Sequence, residues 1–325
     1  MYSDIVDVIT KYRDICLFVH NSMDGDTLGT ALALAFALEK MGKSPVVFIE
    51  EKIPDSLDIL HGRRFTLDIN NIGNDFSAKG KLAIAIDMAD PKMLGKRGTI
   101  FDSFEFSINI DHHITNRKYG DINLILPDFA ATAEIIYFII KELGVEIDKP
   151  IAECIYAGIC TDTGGFRFRN TTSQSHLIAA ELLKFELDVV QMYFSFFEAN
   201  TFSKIKITGY VSSTLDFYYG GKLAIAVIPL EVFQGYDATD EDSDGLVNIG
   251  RSVRGVEISI LAREIKEGFF KVNFRSMGAT DVSAIAAKFD GGGHTAASGC
   301  SLYASADEVK EILIQSVKNE LNQTT

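Results

Sequence analysis

The chain has 325 residues, 47% hydrophobic and 23% charged, a globular composition with apolar material for a large core and length for about two domains. Its formal net charge is −14 and its pI is near 4.9. That balance argues against wrapping long duplex nucleic acid, which needs many Lys and Arg to neutralise phosphates. It leaves room for a local basic pocket or for carboxylates gathered around metal.

In chain order, "DICLFVH" (14–20) reads as a short buried strand. "DTLGTALALAFALEKMG" (26–42) reads as a helix with Asp26 near its start and Gly42 as a stop. "PVVFIEE" (45–51), "KLAIAIDM" (81–88) and "FEFSINIDHH" (104–113) are further strands. "AATAEIIYFIIKELG" (130–144), "KPIAECIYAGICTDTG" (149–164) and 172–187 are helical. Apolar strands alternating with helices predict an α/β fold, a mostly parallel sheet with helices on both faces. The alternation stops near residue 190, so 1–190 is read as one domain, 191–220 as a linker and 221–325 as a smaller α/β domain. The latter has strands at 222–229, 255–264 and 268–278, a short helix at 281–289 and a last helix from about Ala306. "GYDATDEDSDG" (235–245) reads as a solvated loop, because it lacks the Gly and Glu that a calcium loop places at its sixth and twelfth positions.

Four scattered cysteines without C-x-x-C predict free thiols in a reducing compartment. The N-terminus does not read as a signal peptide, and "TALALAFAL" is too short to span a membrane. A cytoplasmic protein is expected.

The chemistry gathers at strand ends. His20, Asp24 and Asp26 follow the first strand, Asp87 closes "LAIAID", and Asp111, His112 and His113 close "FSINID". Ligands of open α/β sheets bind outside the carboxyl ends of the strands, and Asp162 adds a carboxylate before a glycine turn. So many carboxylates cannot all ionise together uncompensated. Divalent cations compensate, and a set of imidazoles and carboxylates without thiolates favours Mn²⁺ or Mg²⁺. The number of ligands fits two ions, the usual device for phosphoester hydrolysis. Asp90, His61 and His176 read as ordinary turn or surface residues. In the second half, "FDGGGHTAASG" (289–299) offers Gly292, Gly293 and His294 as an anion-binding nest, with Arg251, Arg254 and Arg275 as phosphate contacts.

These motifs resemble the DHH phosphoesterase superfamily over nearly the whole chain: H-x-x-x-D-G-D at His20 to Asp26, Asp87, Asp111-His112-His113, the Asp162-Thr163-Gly164 turn and the G-G-G-H of Gly291 to His294. The G-G-G-H element is similar to the RecJ-like branch, and the short length to its compact bacterial nano-RNase and pAp-phosphatase type. Met23, Asp290 and Ala131 depart from the residues usual at their positions without removing a ligand type. The resemblance implies that His20 and Asp24 hold one metal, that Asp26, His112 and Asp162 hold the other, and that Asp87 bridges them. It implies that Asp111 orients His112, that His113 faces the scissile phosphate, and that a metal-bridging hydroxide is the nucleophile. Arg275, Ser276 and His294 would grip the substrate in a cleft between the domains. The implied activities are 3′–5′ cleavage of short RNA or DNA oligonucleotides and linear dinucleotides, and removal of the 3′-phosphate of 3′-phosphoadenosine 5′-phosphate (pAp). The resemblance also suggests a homodimer. The alternatives are a cyclic-dinucleotide phosphodiesterase, an exopolyphosphatase-like hydrolase and, last, a non-catalytic nucleotide-binding module.

Overall fold

A computed structural model describes residues 2–73, 76–277 and 280–322; Gly278, the last residue of the expected strand 268–278, lies outside them. The chain divides into two units, Met1–Ala199 and Asn200–Thr325.

In the first unit six strands run β1 (Asp14–Phe18), β2 (Ser44–Ile49), β3 (Thr66–Asp68), β4 (Leu82–Ile86), β5 (Ser107–Asp111) and β6 (Ile122–Ile125). Their order is β3-β2-β1-β4-β5-β6, with every neighbouring pair parallel. β4 and β5 are buried at every residue, which is why they read as unbroken apolar runs. The order reverses between β1 and β4, so the switch point where such sheets bind ligands falls there. One face carries α1 (Ser3–Lys11), α2 (Gly25–Lys40), α3 (Thr132–Glu142), α4 (Lys149–Asp162) and α5 (Ser173–Leu182), over a core that includes Leu17, Leu32, Ile84, Ile136 and Ile155. The other face has a thinner cover. Phe18 meets Phe48, Phe101 and Phe104 at ring-centroid distances of 5.2, 5.1 and 5.7 Å, beneath the short turns Pro91–Arg97 and Gly98–Phe101.

α2 begins one residue before the expected Asp26, because Asp24 caps it by accepting the Thr27 N–H at 2.9 Å. From Gly25 to Leu38 this helix is buried. It packs against α4 through glycines: a methyl at Gly29 would lie 2.5 Å from the Cys154 carbonyl oxygen, and one at Gly158 would lie 2.7 Å from Asp26 Oδ1 and 3.3 Å from Asp26 Cα. That close approach draws the start of α2 and the end of α4 together.

The second unit holds a mixed sheet, β11-β12-β10-β9-β8-β7, built from β7 (Asp216–Tyr218), β8 (Leu223–Ile228), β9 (Ile258–Lys266), β10 (Phe269–Ser276), β11 (Gly292–His294) and β12 (Ala297–Tyr303). β8 and β9 are parallel and the other neighbours antiparallel. α6 (Phe202–Ser213) covers one face through Ile207 and Val211. α7 (Val282–Ala287) and α8 (Ala306–Ser316) cover the other.

The stretch 191–220 is therefore not the expected linker. It is largely helical, and the units meet at 199/200. Its signal was faint because α6 buries only two residues, four apart, among polar ones. The acidic stretch 235–245 also departs from a plain solvated loop. Asp242 is buried, accepting the Thr201 hydroxyl at 2.5 Å and the Thr239 N–H at 2.8 Å, and Asp240 pairs with Arg263 at 2.7 Å. No helix among the described residues is long and apolar enough to cross a membrane. All four cysteines are buried and free.

Candidate metal centre

The sheet brings every expected first-half residue to one rim. Two groups of three offer ligand atoms within 4.8 Å of one another: His20, Asp24 and Asp87, and Asp26, His112 and Asp162. A third group joins Asp87, Asp111, His112 and His113. Asp87 is common to the first and third, and its two oxygens diverge. Oδ2 lies 3.7 Å from His20 Nε2, and Oδ1 lies 3.7 Å from His112 Nε2. Asp87 sits directly after β4 in the left-handed region at φ 56°, which Asp tolerates better than most side chains.

Each imidazole is set by its other nitrogen. His20 Nδ1 lies 2.5 Å from the Asn21 carbonyl oxygen, and His112 Nδ1 lies 3.1 Å from that of Phe129. A carbonyl only accepts, so both Nδ1 atoms carry the proton and both Nε2 atoms present a lone pair, the tautomer of a metal ligand. His112 Nε2 is buried with no hydrogen-bond partner, 3.7 Å from Asp87 Oδ1 and 3.6 Å from Asp162 Oδ2. A buried acceptor facing two carboxylates is paired by a cation, so the residues fit a divalent metal.

The electrostatics agree. Burial first, then the neighbouring Asp87, Asp162 and Asp24, push Asp26 well above the usual carboxylate range. Burial, then Asp87 and Asp24, lift Asp162 to about 6 against the pull of His112. Burial opposes ionisation at Asp87 too, but His20, His113 and His112 outweigh it and hold that carboxyl below its ordinary value.

Asp111 does not act as the resemblance implied. Its Oδ1 accepts the His113 ring Nδ1–H at 2.7 Å, and the backbone N–H groups of His112 and His113 at 2.8 and 3.2 Å. The carboxylate therefore orients His113, while Phe129 orients the ring of His112. This contact, ahead of the opposing effect of burial, raises His113 to about 9.

Sequence reasoning missed several residues that hold the site. Thr132 donates its hydroxyl to Asp87 Oδ1 at 2.9 Å. Its backbone N–H and that of Ala133 reach Asp26 at 2.7 and 2.9 Å, and Thr30 donates to Asp26 at 3.0 Å. Asn170 donates to Asp162 Oδ2 at 3.2 Å. The available signal was an uncapped helix: Ala131 precedes α3 and offers it no side-chain acceptor, so an outside carboxylate had to.

In the second unit Arg275 and His294 both pair with Ala297 on β12. Directly opposed residues share a face, so the two side chains rise from one face, about 10 Å apart across two strand spacings. Neighbouring Phe274 points the other way, into the core. Ser276 is buried at the end of β10. Arg251 lies close enough that, after burial, its charge lowers the Arg275 pKa. The glycine run is an edge strand where a nest was expected. Methyls at Gly291 and Gly293 would lie 2.3 Å from the Gly299 carbonyl and 2.6 Å from the Ala297 carbonyl, whereas Gly292 faces open space.

Residues 14–159 match the DHH family N-terminal domain, and residues 220–323 match the DHHA1 domain. Over 321 residues the chain is 33% identical to the bifunctional oligoribonuclease and PAP phosphatase NrnA of Thermus thermophilus, spanning 95% of this chain and 90% of that one. The chain belongs to the DHH family. It is 27% identical to the NrnA of Bacillus subtilis, over 96% of each chain. An exopolyphosphatase-related protein from Bacteroides fragilis superposes with a TM-score of 0.90 at 27% identity, over 99% of this chain and 97% of that one. RecJ from Thermus thermophilus shares the fold, with a TM-score of 0.52 at 12% identity over 99% of this chain and 55% of its own. As a DHH phosphoesterase the chain is a metal-dependent hydrolase of phosphoester bonds.

Proposed function

We propose that this chain hydrolyses short oligonucleotides, linear dinucleotides and pAp in the cytoplasm with two divalent cations, Mn²⁺ before Mg²⁺, as a monomer or homodimer. The carrying observation is Asp87, whose two oxygens face separate imidazoles, each with its own carboxylate neighbour. His20, Asp24 and Asp87 would hold one cation, and Asp26, His112, Asp162 and Asp87 the other. When bound, such cations supply Lewis acidity and lower the pKa of water. His113 keeps Nδ1 on Asp111 and turns Nε2 to the substrate, where it steadies phosphoryl charge or gives its proton to the leaving oxygen. One water is consumed, one P–O bond breaks, and the freed sugar oxygen takes the proton. On the second unit, Arg275 and Arg251, two like charges close together, favour an anion, and with Ser276, His294, Gly293 and the open backbone of Gly292 they would take a substrate phosphate.

The test is a panel with Mn²⁺: pAp, pApA, pGpG, cyclic di-AMP, RNA oligomers of increasing length and polyphosphate. Turnover is expected to be best on pAp and the shortest linear substrates. No turnover of any of these would overturn the reading, and preference for polyphosphate or the cyclic dinucleotide would replace its substrate. Arg275→Ala is expected to raise KM with metal content unchanged.

A further inference from the structure

We infer that Asn116 is a positioning residue for the reaction, acting through Asp111 on His113; this rests on the reading of His113 given above. Asp111 is completely buried, and its two oxygens are divided between two tasks. Oδ1 holds the His113 ring at 2.7 Å. Oδ2 accepts from Asn116 Nδ2 at 2.6 Å, the short distance of a charge-assisted hydrogen bond. Asn116 is itself fixed from several sides. Its Nδ2 also lies 2.9 Å from Asn109 Oδ1 and 3.0 Å from the Met88 carbonyl oxygen, and its Oδ1 accepts the Lys118 N–H at 2.6 Å. Asn109, fully buried on β5, donates to the same Met88 carbonyl at 3.0 Å. The backbone closes the loop, with the Asn116 N–H on the His113 carbonyl at 3.1 Å.

The geometry forms one line of contacts from β5 to the exposed ring: Asn109, Asn116, Asp111, His113. The His112 and His113 backbone N–H groups hold Oδ1 only, and a carboxylate held at one oxygen can still turn about that point and tilt away from the imidazole. The amide of Asn116 pins that rotation, so His113 keeps its proton-bearing Nδ1 inward and its Nε2 outward. The side chain of Asn116 contacts Met88, Asn109, Asp111 and Lys118, none of them placed on a cation above. Its removal should therefore lower turnover without releasing metal.

The experiment compares wild type, Asn116→Ala, Asn116→Asp, His113→Ala and the Asn116→Ala/His113→Ala double variant, each loaded with Mn²⁺, on pAp. Metal content and thermal unfolding are measured alongside. The single Asn116 variants are expected to lose roughly tenfold to a hundredfold in kcat, the usual scale for an outer partner, with KM and bound metal near wild type. The double variant is expected to be no slower than His113→Ala alone, because Asn116 has nothing left to position. Asn116→Asp keeps the size, loses the N–H donor and sets a like charge against Asp111, so it breaks the contact if Asn116→Ala does not fold. Wild-type kcat in either folded single variant, loss of bound metal, or losses that multiply in the double variant would each overturn the inference while leaving the proposed function standing. Full activity of His113→Ala would instead overturn the role given to His113, and the inference with it.

Discussion

Asp162→Asn is expected to stabilise the metal-stripped protein and to weaken its response to metal. Burial, followed by the charges of Asp87 and Asp24, lifts this carboxyl from its ordinary 3.8 to about 6. At about 1.4 kcal/mol per pH unit, holding it ionised in the folded chain at neutral pH costs roughly 3 kcal/mol. Against this, the amide of Asn170 donates to Asp162 Oδ2 at 3.2 Å. An asparagine keeps an oxygen there, so the loss on that side is at most about 1 kcal/mol. The balance favours the variant by roughly 1–3 kcal/mol, which at ~2–4 °C per kcal/mol is a clear rise in Tm. The sign fixes the pH dependence. A carboxyl whose folded pKa is raised binds its proton more tightly folded than unfolded. Its penalty is absent below the unfolded value, grows as pH rises from 3.8 to about 6, and is complete above. Chelator-treated wild type and variant should therefore differ most near neutrality and converge on acidification. Added Mn²⁺ should raise the Tm of the wild type by more than that of the variant, which keeps the His20, Asp24 and Asp87 group. A variant less stable than wild type at neutral pH, or a gap that does not shrink in acid, would refute the reasoning.

Two further perturbations test how the site is braced. Gly158→Ala places a methyl 2.5 Å from Ala133 Cβ and 2.7 Å from Asp26 Oδ1; it should cost about 1–3 kcal/mol by overpacking and weaken metal binding in calorimetric titration, and unchanged affinity would show that the α2–α4 approach does not set Asp26. Arg97 is 1% exposed and donates to the carbonyls of Val19, Phe48 and Leu94 and to the Asn21 side chain, so Arg97→Met should lose roughly 3–5 kcal/mol in urea denaturation; a change of under about 1 kcal/mol would mean those strand-end carbonyls find other donors.

The parallel strands were legible because burial on both faces leaves unbroken apolar runs, as in "LAIAI" and "SINID". β3 and β6 were not, being edge strands of three and four residues that are mostly half-buried. The candidate ligands were legible because each sits at a strand or helix end, where the chain has no structural need for a charge. What the sequence hid was which partner each one takes. Asp111, His112 and His113 are consecutive, and adjacency alone pairs Asp111 with either imidazole. Only the path of the loop shows Phe129 behind one ring and Asp111 behind the other. The glycines of 291–293 misled for a related reason: glycine permits close approach of any backbone, and here the neighbour is β12.

Asp26 shows why the site and the fold cannot be separated. Its carboxylate offers about four lone-pair positions. Oδ1 takes the Thr30 hydroxyl and the Ala133 N–H, and Oδ2 takes the Thr132 N–H. That leaves one position, on Oδ2, beside His112 and Asp162. Two of the three protein contacts serve the start of α3, which Ala131 leaves uncapped, and the positive end of a helix favours a negative charge there. An amide of the same shape would turn its own N–H groups toward one of those backbone donors and leave a buried N–H unpaired. The position thus calls for a carboxylate on helix-capping grounds alone. Yet burial and the nearby Asp87, Asp162 and Asp24 push that carboxylate toward its neutral form, and the helix end is only a partial positive charge. A cation on the remaining lone pair would complete the balance and would tie metal binding to the same contacts that fix α3 against α2.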